Sequence, residues 1–357
     1  MATQEIDAAR AEEFAGRMLG ILNDGFLTLA VSLGQRTGLF DTLAELPPSS
    51  SDEIADAAGL DERYVREWLA ALTTGGIVDH DPDSGTYTLP PERAACLTRA
   101  AGPDNLAAFA LYIPVLSQVE DSLVKCFEQG GGVPYSEYPS FQTVQAEETE
   151  RIFDASLVDH VVPLVPGMPQ RLYDGIDVLD LGCGQGHAAN LLAQAFPTSR
   201  VVGYDLSEEA VAAARKEARQ MGLTNARFHV CDVSDLDEPD RFDLITTFDV
   251  IHDLARPRDA LRGIHAALRP GGTYLMVDIR ASSNLHENLD HPLGTALYVV
   301  SLAHCMTVSL AQDGEGLGTM WGEQKARELL AEAGFEHVSV EQIEGDIVNN
   351  YYVATKS

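Results

Sequence analysis

Hydrophobic and polar positions divide the chain into stretches of different rhythm. Over residues 24–37 apolar side chains return every three or four positions, the spacing of a helix with one apolar face. Gly38 breaks that run, and Pro47-Pro-Ser-Ser-Ser-Asp52 reads as a linker into a short helix over 52–58, capped at Ser51 and stopped by Gly59. A second helix is expected over 61–74, with Tyr64, Val65, Trp68, Leu69 and Leu72 as its apolar stripe. Gly75-Gly76 ends it. Two β-favouring runs, 77–79 and 86–89, then flank Asp81-Pro-Asp-Ser-Gly85, which reads as a hairpin turn. Helix, helix, hairpin is a winged-helix pattern.

Residues 102–171 read as mostly helical, with a long apolar stretch over 106–127, a loop at Gly130-Gly-Gly-Val-Pro134 and a further helix over 147–162. Pro163, Pro166 and Pro169 end that helix. Beyond it, β-like runs at 178–181, 200–204, 226–231, 243–248 and 273–277 alternate with helical patterns such as 188–196 and 258–268, and Arg269-Pro-Gly-Gly272 reads as a turn. Such alternation implies an α/β doubly wound sheet, here behind a mostly helical N-terminal domain. The boundaries expected are 1–100 for the winged-helix domain, 101–170 for a helical connector and 171–357 for the sheet domain. An insertion over 279–322 is longer than the minimal fold needs.

One ten-residue stretch carries the most chemistry, Val178-Leu-Asp-Leu-Gly-Cys-Gly-Gln-Gly-His187. Its glycines at 182, 184 and 186 permit a sharp turn and close approach of a ligand to the main chain. The next strand ends in Asp205, roughly 20–25 residues on, where an acid can bind ribose hydroxyls. A third ends in Asp232. A dinucleotide site would favour a Gly-x-Gly-x-x-Gly spacing and a pyrophosphate on a helix N-terminus. Asp180, immediately before the alternating glycines, would repel that pyrophosphate but favour a cationic amino-acid moiety.

These elements, in this order over residues 172–276, resemble the class I S-adenosylmethionine-dependent methyltransferases. The resemblance implies a Rossmann-like sheet, S-adenosyl-L-methionine as cofactor, and a cofactor site built from Asp180, Gly182, Cys183, Gly184, Gly186, Asp205, Leu206, Asp232, Val233 and Phe248. The N-terminal module is similar to the dimerisation domain of small-molecule methyltransferases, which implies a homodimer. In oxygen-directed members a Leu-His-Asp motif follows the fourth strand, and His252-Asp253 falls on it, although Leu254 replaces the tryptophan of the plant enzymes. His252 is thereby a candidate general base and Asp253 its catalytic neighbour, since an ordinary histidine titrates near neutrality. The competing role for His252 is a core or capping histidine. His291, Tyr298, His304, Met306 and Trp321 in the insertion are candidate acceptor-binding residues around an apolar pocket.

Composition removes several alternatives. The 357 residues carry 24 Lys plus Arg against 55 Asp plus Glu, a formal net charge of −31. Such a surface repels phosphates and anionic lipid, so neither nucleic acid nor membrane is expected as a partner. Arg63 and Arg66 on the second winged-module helix are offset by Asp61, Glu62 and Glu67, and the hairpin carries Asp79, Asp81 and Asp83. Solubility or a salty environment accounts for the acidity. Five scattered cysteines suggest a reducing compartment. No charged-then-apolar leader and no apolar run of roughly 18 residues is apparent, so a cytoplasmic enzyme is expected. His291, His304 and Cys305 match no zinc spacing, so no metal is expected. The reading is methyl transfer to a small-molecule hydroxyl. Two alternatives remain: a regulator that binds the cofactor without chemistry, and a transferase directed at nitrogen, carbon or arsenic.

Overall fold

The computed structural model describes residues 6–357, the side chains of Gln142 and Glu148 excepted. Two compact units divide at Val115 and Leu116.

In the first unit, helix α1 (Ala8–Thr37) is longer than its apolar period suggested. Asp7 caps it, its carboxylate accepting from the Ala9 and Arg10 N–H groups, and the Ala- and Glu-rich first turns then propagate helix without needing burial. Gly38, in the left-handed region, ends it and leads into α2 (Leu39–Glu45). Helix α3 (Ser51–Ala58) is capped by Ser50 rather than Ser51: Glu53 lies three residues after Ser50, and the two close a reciprocal capping box. Helix α4 (Glu62–Thr74) starts from Asp61 and buries Val65, Trp68, Leu69 and Leu72 against Phe40 and Ile54. Trp68 satisfies its indole N–H on the Ala30 carbonyl, 2.8 Å away. Strands β1 (Asp79–Asp81) and β2 (Thr86–Thr88) form the antiparallel hairpin.

The long apolar stretch 106–127 is divided into a 3-10 turn over Leu106–Leu111, a short α-helix at Tyr112–Leu116, a second 3-10 turn at Ser117–Val119 and a helix over Glu120–Gln129. Pro114 cannot donate a helical hydrogen bond, which favours such breaks. Helix α1 and the broken helical run Leu106–Gln129 are both long and apolar enough to cross a membrane by length and composition, against the expectation that no run would be. Core helices of soluble proteins also meet that criterion.

In the second unit, helix α5 (Phe141–Ser156) runs on into a π-helical turn, Leu157–Val161. The sheet that follows has seven strands: β3 (Asp177–Leu181), β4 (Arg200–Asp205), β5 (Ala226–Val230), β6 (Phe242–Phe248), β7 (Leu268–Ile279), β8 (Val338–Glu341) and β9 (Asn349–Thr355). Their order is β5-β4-β3-β6-β7-β9-β8; the first five run parallel, and β9 pairs antiparallel with both β7 and β8. Central strands buried on both faces are near-continuously apolar, as Val178-Leu179 and Leu244-Ile245 are. Arg269-Pro-Gly-Gly272 is not a separate turn. It is a register irregularity inside β7, where pairing skips from Phe242–Leu268 to Leu244–Thr273. Chain order reverses at β3, which lies between β4 and β6, so a crevice opens at the carboxyl ends of these strands.

Candidate active site

A cavity of about 680 Å³ occupies that crevice. Asp180, Gly182, Cys183, Gly184, Gly186, Asp205, Leu206, Asp232, Val233 and Phe248 all line it, as does Asp253. Two glycines are sterically required. A Cβ on Gly182 would lie 2.6 Å from the Val250 side chain and one on Gly186 would lie 2.4 Å from Ala214, and both positions hold positive φ. The tight loop brings the Gly184 N–H onto Asp205 Oδ2 at 2.8 Å, while Asp205 Oδ1 accepts from the Ser207 N–H at the same distance. Burial raises the Asp205 pKa against those two bonds.

Asp180 is more exceptional. Its Oδ1 accepts from the Thr246 hydroxyl at 2.8 Å, but Oδ2 is buried without a partner. Desolvation pushes this carboxyl up to about 7, the Thr246 bond opposing and the Asp205 charge adding to the rise. A buried acid with one unmet oxygen beside an open loop is suited to a cationic ligand.

A second group lies beyond the end of β6. His252, in the 3-10 turn Ile251–Asp253, is buried, with Nδ1 2.7 Å from Asp278 Oδ1. The same oxygen accepts from the Trp321 indole at 2.9 Å and the Ile279 N–H at 2.8 Å, which orients it. Nε2 of His252 lies 3.3 Å from Asp253 Oδ1. Burial lowers the His252 pKa, but the charges of Asp278 and Asp253 outweigh it and hold the imidazole well above its ordinary value. Tyr135 donates to Asp253 Oδ2 at 3.0 Å. His304 stacks on Phe141 at 3.5 Å, with Tyr135 and Tyr138 edge-on, and neither of its nitrogens has a hydrogen-bond partner. Burial pulls it down to about 4, with Asp253 opposing.

The remaining sequence candidates are placed elsewhere. His252 and His304 stand behind the lining, His252 next to Asp253 and His304 next to Tyr135, Tyr138 and Phe141. His291 is tied into its own loop, Nε2 on the Arg280 carbonyl and Nδ1 accepting from the Leu293 N–H. Tyr298 accepts from Asn288, Met306 packs behind Gly318, and Trp321 serves Asp278; none of the three lines the cavity. Sequence reasoning missed Tyr135, Tyr138, Phe141, Asp249 and Arg256 in the lining. Aromatics spaced just after Gly130-Gly-Gly132 were the available signal for the first three.

His187, at the start of helix α6 (His187–Ala195), also lines the cavity and joins two elements: Nδ1 meets Glu217 at 2.6 Å and Nε2 meets Asp154 of α5 at 2.9 Å. Desolvation opposes its charge, but the two carboxylates raise it to about 9. Glu217 is pushed up by burial yet ends below its ordinary value through His187 and Asn190. The histidine's contribution to stability is therefore fully present below its ordinary 6.5 and lost as pH rises through about 9. That of Glu217 is present above its ordinary 4.5 and lost as pH falls through its lowered value. His187→Ala should cost about 2–4 °C of melting temperature near pH 7.5, as for a loss of about 1 kcal/mol, and much less at pH 10. An equal loss at both pH values would show that packing, not charge, is what His187 contributes.

Fold and site together define a Rossmann-like methyltransferase domain: residues 172–334 match the methyltransferase domain family. Residues 25–99 match the Rv2258c-like winged HTH domain, so the chain joins a match to that domain with a match to a methyltransferase domain. It is 30% identical over 134 residues to the ubiquinone biosynthesis O-methyltransferase of Roseobacter denitrificans, covering 38% of this chain and 50% of that protein. To the arsenite methyltransferase of Aquipseudomonas alcaligenes it is 28% identical over 209 residues, 54% of this chain and 58% of the other. The chain thus spans little more than half the length of these relatives. Human N-acetylserotonin methyltransferase in complex with SAM is similar over 100% of both chains, with a TM-score of 0.69 at 20% identity. An O-methyltransferase family protein from Burkholderia thailandensis has a TM-score of 0.70 at 14% identity, covering 96% of this chain and 98% of that one. At such identities these structures establish the fold.

Proposed function

We propose that the protein transfers a methyl group from S-adenosylmethionine to a hydroxyl oxygen of a small apolar or aromatic acceptor. When bound, the cofactor supplies an electrophilic methyl group on a positively charged sulfur. The residues present fit it: Asp205 offers ribose hydroxyls a carboxylate already oriented by two N–H groups, and Asp180 offers a cationic moiety its unmet oxygen. Positioning of the two reactants supplies most of the acceleration. Asp253, which lines the cavity, passes the hydroxyl proton on to Nε2 of His252 behind it, and Asp278 steadies the imidazolium. The observation that carries the oxygen-directed reading is the buried Asp278–His252 pair beside a cavity-lining acid, because an amine or thiol acceptor needs less help with its proton. Formation of S-adenosylhomocysteine with a panel of phenols and alcohols tests it; turnover with amines alone would refute it. Tyr135, Tyr138 and Phe141 are assigned to the acceptor's aromatic wall, with His304 packed behind them.

The family match to a winged HTH domain favours a second reading, a DNA-bound regulator. Its charges oppose this: Arg63 and Arg66 are paired with Glu67 and Glu62, and the hairpin is acidic. Assembly is the better use of the module. Phe14, Met18, Leu22, Phe26, Leu29 and Leu33 recur at helical spacing along α1 and are exposed, with Phe26 74% accessible. Such a face is suited to a two-fold partner helix. Sedimentation should give a dimer at micromolar concentration, shifted towards monomer by Leu22→Asp plus Phe26→Asp, with no binding to duplex DNA at physiological salt. A wild-type monomer, or salt-resistant DNA binding, would each overturn this assignment.

A further inference from the structure

Two turns remote in sequence converge behind the cavity wall, the 3-10 turn Ile251–Asp253 and the π-helical turn Ser301–Cys305. A nitrogen of His252, an oxygen of Asp253 and the sulfur of Cys305 lie within 4.8 Å of one another. Asp278 already engages Nδ1 of His252, so Nε2 is the ring nitrogen left to face this group. A carboxylate behind an imidazole is how zinc-binding histidines are oriented and made more basic. Asp253 Oδ1, 3.3 Å from that Nε2, has no hydrogen-bond partner. Independently, His304 is 1% exposed, has two unsatisfied nitrogens, and places Nδ1 3.9 Å from Asp253 Oδ2. A buried imidazole left without partners is costly, which makes it available to a further ligand.

Imidazole, carboxylate and thiolate are the donors of a borderline-soft cation. Zinc bonds of about 2.0–2.3 Å put tetrahedral donors about 3.3–3.8 Å apart, so the three donors that lie within 4.8 Å of one another close up on binding. Other acidic groupings among the described residues serve less well. A cation on Asp249, His252 and Asp278 would break the Asp278–His252 bond, and at Glu150, Asp154 and His187 both ring nitrogens are already engaged.

We propose that His252, Asp253 and Cys305 form a three-donor site for a zinc-class divalent cation, with His304, beside Asp253, turning in to supply the fourth donor on binding. Binding converts the Cys305 thiol to a thiolate whose proton leaves to bulk water; no electron is transferred and no other bond is broken. The cation occupies the lone pair assigned to the base, so zinc inhibits methyl transfer; that consequence rests on the base reading, and the binding does not.

Cobalt(II) added to the intact protein tests the site, because thiolate coordination produces a charge-transfer absorption that carboxylates on the acidic surface cannot. The band should saturate at one equivalent, vanish in Cys305→Ser and be displaced by zinc. His304→Ala and Asp253→Asn, checked for folding by circular dichroism, should each weaken cobalt binding about tenfold or more, as loss of a ligand or its support does. These variants decide the matter if Cys305→Ser does not fold. No band, a band that survives Cys305→Ser, or unchanged binding in both other variants would overturn the proposal. A band with all the expected losses but no inhibition by zinc would support the site and refute His252 as base.

Discussion

His252→Gln should lower kcat by on the order of 10²-fold or more while leaving S-adenosylmethionine affinity nearly intact. Glutamine keeps much of the volume and can still hydrogen-bond Asp278, but it cannot accept a proton at neutral pH. A second signature comes from pH. The base must be neutral to act, and Asp278 and Asp253 hold His252 well above the ordinary 6.5. The wild-type rate should therefore climb with pH through an alkaline-shifted histidine limb and fall as pH drops through it. Asp278→Asn removes one of the charges responsible and should move that limb to lower pH. Steady-state rates between pH 6 and 10 on a confirmed hydroxyl acceptor measure both effects. A His252→Gln enzyme within about threefold of wild type would leave the histidine a structural or positioning role.

Asp205→Ala should raise the dissociation constant for S-adenosylmethionine by tens-fold, read by calorimetry. The carboxylate is preorganised by the Gly184 and Ser207 N–H groups and retains lone pairs for two charge-assisted bonds to a ribose. Asp205→Asn separates charge from shape. It keeps one acceptor oxygen, so it should cost less than alanine and more than nothing. An unchanged affinity in Asp205→Ala would remove this residue from the cofactor site.

The glycine loop was the most legible part of the chain because its requirements are local. Positive φ at residues 182, 184 and 186 is written in one short loop, Asp180 and Asp205 lie at the ends of β3 and β4 with Asp232 just beyond β5, and all ten residues assigned to the cofactor line one cavity. The central strands β3, β6 and β7 were readable for the same reason, since burial on both faces makes them near-continuous apolar runs, whereas β8 and β9 were not read as strands. Helix starts were less legible. Ser51 read as a cap, but the box closes from Ser50 because Glu53 lies three residues after it.

On the acceptor side the sequence determined little beyond His252 and Asp253. Long-range pairing, not residue type, decides which insertion side chains approach the cavity. His291 is consumed by its own loop, and Trp321 is turned onto Asp278. Tyr135, from a segment with no motif, reaches Asp253 across more than a hundred residues of chain. Thus the sequence by itself determined the class of sheet, the loop proposed to meet the cofactor and the position of the candidate base, all properties of contiguous residues. Only the tertiary structure decided which carboxylate holds His252, which aromatics enclose His304 and which cysteine comes beside them. Those neighbours come from separate strands and turns that meet only when the apolar faces of the sheet and its helices close on one another.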